Sequence, residues 1–83
     1  MNYYEERCIK TKAIVEYAEE GFKNSVIRKA RFIIENIDEE EIDAVPEILE
    51  KLLIEYEALQ DARADYERAK ERLAEEGGKN ESY

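Results

Sequence analysis

The chain has no histidine and no tryptophan, a single cysteine, a single proline and three glycines among 83 residues. Without histidine, the side chain most used for proton transfer and metal binding near neutral pH is missing, and Cys8 lacks the usual partner that would activate its thiol. One cysteine cannot form an intrachain disulfide, and nothing in the cysteine pattern points to secretion. Aliphatic and aromatic residues never run beyond three in a row, at Phe32-Ile33-Ile34 and Leu52-Leu53-Ile54. No membrane span is expected from runs so short. The opening MNYYEERCIK has no apolar segment of the export type, so a cytoplasmic protein is the simplest expectation.

The shortage of helix breakers, alongside abundant Ala, Glu, Lys, Arg and Leu, favours helix throughout. Charged residues make up 42% of the chain. Ile, Leu, Val, Phe and Tyr nevertheless recur at regular spacing, which argues for a folded domain over a disordered tail. A chain of this length removes only about 60–65% of its unfolded surface from water, so a lone subunit has a thin core and self-association is expected.

The net charge of −9 is concentrated. Residues 1–34 hold seven basic and five acidic groups, residues 35–57 one and ten, and residues 58–83 five and seven. Such a chain repels nucleic acid and anionic membranes overall and attracts basic partners.

Pro46 to Glu76 is about thirty residues without an internal Gly or Pro and reads as one long helix, roughly 45 Å at ~1.5 Å per residue. Either the preceding chain or a second copy must lie along it. Its apolar face is Val45, Ile48, Leu49, Leu52, Leu53, Tyr56 and Leu59, a sector roughly 140° wide that can cover two neighbouring helices. Beyond Leu59 a narrower stripe of Ala62, Tyr66, Ala69 and Leu73 continues, while Ile54 lies opposite the main face.

Upstream, Tyr4, Cys8, Thr11, Val15, Ala18 and Phe22 alternate at spacings of four and three, the mark of a helical stripe. Asn2 is a suitable N-cap, and Glu5 and Glu6 suit the first turn. Gly21 fits the position that commonly closes a helix, which predicts helix 1 over about 2–20. Asn24 or Ser25 can cap a second helix over about 24–37, with Val26, Ile27, Ala30, Ile33, Ile34 and Ile37 as its core face. Asp38 to Val45 reads as an acidic connector, and helix 3 spans about 46–76. Gly77-Gly78 predicts a stop, with residues 77–83 as a disordered tail. The fold expected is all-α: a single domain over 1–76 with two shorter helices and a long C-terminal one, in an antiparallel bundle that is oligomeric through the long helix.

Three surfaces stand out. The acidic residues Glu39, Glu40, Glu41, Asp43 and Glu47 form a docking patch for a basic partner; as a calcium loop the segment lacks the glycine such loops need, and no metal or cofactor is expected. The strip Ile54, Tyr56, Leu59, Ala62, Tyr66, Ala69 and Leu73 has the period of a helix–helix seam, packing either between subunits or against helix 1. Lys23, Arg28, Lys29 and Arg31 with Phe32 make the one basic face, suited to an anion or nucleotide. The carboxylates project mostly to solvent, so catalysis is poorly supported. The function expected is a non-catalytic protein–protein interaction module, a small adaptor or stoichiometric inhibitor of the kind phages make. A nucleotide- or nucleic-acid-binding module and a purely structural homo-oligomer are the alternatives.

Overall fold

The computed structural model describes residues 2–38 and 43–81, with side chains up to Glu76. The chain is all-helical, with two helices packed against each other: α1 (Tyr3–Glu35) and α2 (Val45–Glu81). They form an antiparallel hairpin 68 Å long and 17 × 13 Å in section. Its radius of gyration is 19.1 Å, against about 12 Å for a globular domain of this length. The companion of the long helix is therefore the preceding chain itself, over its whole length.

The expectation of two short helices before the long one is corrected: α1 passes straight through Gly21, Asn24 and Ser25. Gly21 has no positive φ. A glycine inside a helix costs only about 1 kcal/mol relative to alanine, less than breaking the ladder and reorienting fourteen residues would cost. What carries the helix onward is the four-three alternation, which does not stop at Phe22. It steps to Ser25 and Lys29, both turned inward, so the stripe crosses the glycine without a change of face. Polar residues at those two steps hide this continuity from a search for apolar periodicity.

The ends follow local chemistry. The Glu5 backbone N–H donates to Asn2 Oδ1 at 2.9 Å, so Asn2 caps α1 as expected. Asn36 terminates it, its side-chain amide donating to the Phe32 carbonyl at 2.8 Å. Pro46 sits in the first turn of α2, where its missing N–H costs nothing. At the far end α2 runs through Gly77-Gly78 to Glu81, where the sequence predicts a stop. Glycine permits the left-handed turn without requiring it. The connector residues Glu39, Glu40, Glu41 and Ile42, and the last two residues of the chain, lie outside the described residues.

On α2 the inward positions are Val45, Ile48, Leu52, Glu55, Leu59, Ala62, Tyr66, Ala69 and Leu73, an unbroken three-four series. The resulting core is a single line. Among the described residues, only Val15, Leu59 and Ala69 are buried apolar residues, joined by the buried polar residues Thr11 and Ser25. Thr11 is satisfied within its own helix, its hydroxyl donating to the Arg7 carbonyl at 2.7 Å.

The continuity of α1 sets a direct test. No atom lies within 4 Å of a Cβ built on Gly21. Gly21→Ala is expected to raise stability by about 0.5–1 kcal/mol, a few degrees in the thermal midpoint. A glycine closing a helix in the left-handed region would give a loss instead, and thermal unfolding followed by circular dichroism separates the two.

Candidate interaction surface

Each helix has one neighbour, yet parts of both carry apolar sectors wide enough for two. In α1 the seam takes the Phe22, Ser25 and Lys29 side. At ~100° per residue, the face of Ile27, Ala30, Ile34 and Ile37 is then centred roughly 125° away from the seam. Those residues were expected in a core; the structure leaves Ile27 45%, Ile34 72% and Ile37 56% exposed, with Val26 and Ile33 half-buried at the edge. The same holds on α2, where Leu49 is 54%, Leu53 55% and Tyr56 39% exposed. Each of these two expected core faces is thus only half covered, because the third helix assumed for the bundle is part of α1.

The two bare faces lie on the same flank of the hairpin. Tyr56 packs its ring against Phe22 with centroids 5.7 Å apart, and one step beyond, Arg63 reaches Glu19 at 3.6 Å. The opposite flank is a groove of about 280 Å³, lined by Tyr17, Gly21, Arg28 and Ala58 among others. From Phe22 and Tyr56 towards the turn, one continuous apolar strip therefore crosses both helices. Its six most exposed side chains present on the order of 500 Å² of apolar surface, at the upper end of what a soluble monomer shows.

A polar cluster sits in the seam behind this strip. Lys29 Nζ donates to Ser25 Oγ at 2.6 Å and to Glu55 Oε1 at 3.1 Å. The neighbouring Ser25 hydroxyl and the Lys29 ammonium hold the Glu55 carboxyl below the usual carboxylate range, against partial burial, which pushes it up. The second carboxylate oxygen, Oε2, is buried and accepts no hydrogen bond from the described residues. Lys29, expected on an open basic face, is thereby turned inward and engaged. Lys23, Arg28 and Arg31 stay exposed, and Phe32 is 42% exposed, but four cations do not gather around it.

The other anticipated surfaces fare differently. Leu59, Ala62, Tyr66, Ala69 and Leu73 face α1, which leaves Ile54, 60% exposed, and Tyr56 as the open members of that strip. Asp43 and Glu47 are exposed, with Glu47 in an i,i+4 ion pair to Lys51 at 3.6 Å. Glu39, Glu40 and Glu41 are outside the described residues. Unforeseen in the sequence is a groove of about 500 Å³ at the open end of the hairpin, lined by Tyr3, Tyr4, Arg7, Asp65, Arg68, Ala69 and Arg72. Only the antiparallel register brings Arg7 to Arg68 and Arg72, and Asp65 pairs with Arg68 alone among the three arginines. Among the described residues, no three or more Cys, Asp or Glu side chains gather where they could hold a metal ion, and no helix is long and apolar enough to cross a membrane.

The seam cluster makes a pH prediction. A carboxyl whose folded pKa is depressed contributes stability above its unfolded pKa, near 4.5, and loses it as pH falls through the folded value. Glu55→Gln is therefore expected to cost about 0.5–1 kcal/mol at pH 7, a modest figure because the Glu55 side chain is 37% exposed. The gap from the parent chain should narrow as pH falls below about 4.5 and vanish once the folded carboxyl is protonated. Thermal melts of both proteins across pH 3–7 measure it. Comparison with protein-family models, curated proteins and solved structures gave no match to this chain.

Proposed function

We propose that the chain is a non-catalytic protein–protein interaction module whose working surface is the apolar flank of the turn half. The observation that carries this reading is the continuous exposure of Ile27, Ile34, Ile37, Leu49, Leu53 and Tyr56 along one side of both helices. In water such a strip is a cost without a partner, and helices laid along it would complete a bundle of ordinary thickness. The acidic residues at the turn, Asp38 and Asp43 among them, put negative charge at one end of that strip. They favour a partner with cations at the rim and speed its approach. An adaptor or a stoichiometric inhibitor would both use such a surface.

A second reading has its own observation, the open-end groove. Arg7, Arg68 and Arg72 beside the rings of Tyr3 and Tyr4 combine planar cations with aromatic faces, a setting for a phosphate-bearing ligand with a flat ring. Nucleotide binding is thereby better placed here than on the Lys23 to Phe32 face, whose Lys29 is already bound to Glu55. The reading predicts that Arg7→Glu with Arg72→Glu abolishes binding of a nucleoside triphosphate in calorimetric titration.

The two readings separate by mutation. Ile34→Asp and Leu53→Asp lie on solvent-exposed helix positions and should change stability by less than about 1 kcal/mol, leaving the helical spectrum intact. If the flank is the working surface, each variant loses the complexes the parent chain forms in co-purification, whereas Arg7→Glu keeps them. Retention of those complexes by the flank variants would refute the proposal.

A further inference from the structure

We infer that the occupant of the flank is a second copy of this chain, docked antiparallel across a two-fold axis at the level of Ala30 and Leu52-Leu53. This rests on the flank being an interface and names what covers it.

A two-fold interface must be self-complementary: every residue at one distance from the axis meets the residue at the same distance on the other side. The strip has this property. On α1, Ile27 and Ile33 lie three residues either side of Ala30, and Val26 and Ile34 four residues either side. On α2, Leu49 and Tyr56 lie equally far from the midpoint between Leu52 and Leu53. The two midpoints stand at the same height, since Lys29 reaches Glu55 and Glu19 reaches Arg63 across the seam. Rotation about an axis running across the strip lays α1 on the α1 of the second copy and α2 on its α2. Ala30, the smallest side chain of the strip, then faces itself, where close backbone approach is needed.

Charge selects the antiparallel arrangement. Lys23 lies seven residues from Ala30, and Asp38 eight residues on the other side; Arg63 and Asp43 are each about ten residues from the α2 midpoint. Rotation therefore sets Lys23 of each protomer against Asp38 of its partner, and Arg63 against Asp43. A parallel dimer would instead bring together the two turn segments 35–43, each with six acidic groups and no basic one. The area is also adequate. The roughly 500 Å² of exposed apolar side chain is more than half of the ~800 Å² each partner buries in a stable complex, and the half-buried Val26, Ile33 and Leu52 and the charged rim supply the remainder.

The assembly has a distinctive outline: a four-helix centre over the turn halves, with a two-helix arm leaving at either end. Each hairpin is 68 Å long and the overlap is about 25 Å, so the dimer spans about 110 Å against about 70 Å for a parallel dimer or a lone chain. Multi-angle light scattering with small-angle X-ray scattering is expected to give a dimer of that length. Ile34→Asp should weaken dimerisation at least about 100-fold. Lys23→Glu should weaken it less, and Lys23→Glu with Asp38→Lys should recover it. In a Cys8→Ala background, Ala30→Cys should be joined to its copy by a short bis-maleimide. Lys12→Cys, about 50 Å from its copy, should not. A dimer about 70 Å long, or one indifferent to Ile34→Asp, overturns the inference. A chain that stays monomeric at millimolar concentration also overturns it; if Ile34→Asp then still abolishes capture of a different protein, the flank remains an interface and only the identity of its occupant was wrong.

Discussion

The whole molecule depends on a single line of contact between two helices. A helix in a bundle of three or four is touched from two sides, so a sector of apolar residues well over 100° wide can be covered. A helix in a hairpin is touched from one side only. Where α1 and α2 carry narrow stripes, as from Tyr4 to Ala18 and from Leu59 to Leu73, the hairpin covers them. Where they carry wide ones, around Ala30 and Leu52, half of the apolar surface stays in water. The boundary between these two regimes falls at the Phe22–Tyr56 ring contact and the Glu19–Arg63 ion pair.

Inside the line, polarity is distributed unevenly. The open-end half contains Thr11 and small alanines; the turn half contains the cluster of Ser25, Lys29 and Glu55. A charged pair at this depth adds little net stability, since partial desolvation offsets much of its attraction. It is, however, sensitive to register: sliding α1 past α2 by one heptad would leave Lys29 facing Ala62 or Ile48. The cluster therefore discriminates between alignments that apolar residues alone would treat as nearly equivalent.

Much of the architecture was legible in the residues, and the omissions have physical causes. The cap at Asn2, the stripe from Tyr4 to Phe22, the start of the long helix at Pro46 and the outward placing of Ile54 and Phe32 all follow from spacing and side-chain chemistry. The break expected at Gly21 does not occur, because a cap-like sequence offers a stop that only tertiary context can accept or refuse. Here the seam refuses it, carrying on through Ser25 and Lys29, two residues that apolar periodicity does not count. The same error hid the exposed apolar surface. Once residues 2–37 are divided into two helices, the Ile27 to Ile37 face is assigned to a core, and its exposure becomes visible only when the chain is seen to supply one companion for α2. The arginine groove at the open end was illegible for a different reason, since Arg7 and Arg72 are sixty-five positions apart and meet only through the hairpin's register.

The hairpin also fixes where the chain's extremities emerge. Tyr3 and Glu81 leave the rod at one end, and the acidic turn stands at the other, with 68 Å as the full reach between them. Anything joined to either extremity is thus held at a distance comparable to the width of a sizeable globular protein from the turn. A rod of this stiffness sets a fixed separation between its paired ends and its turn.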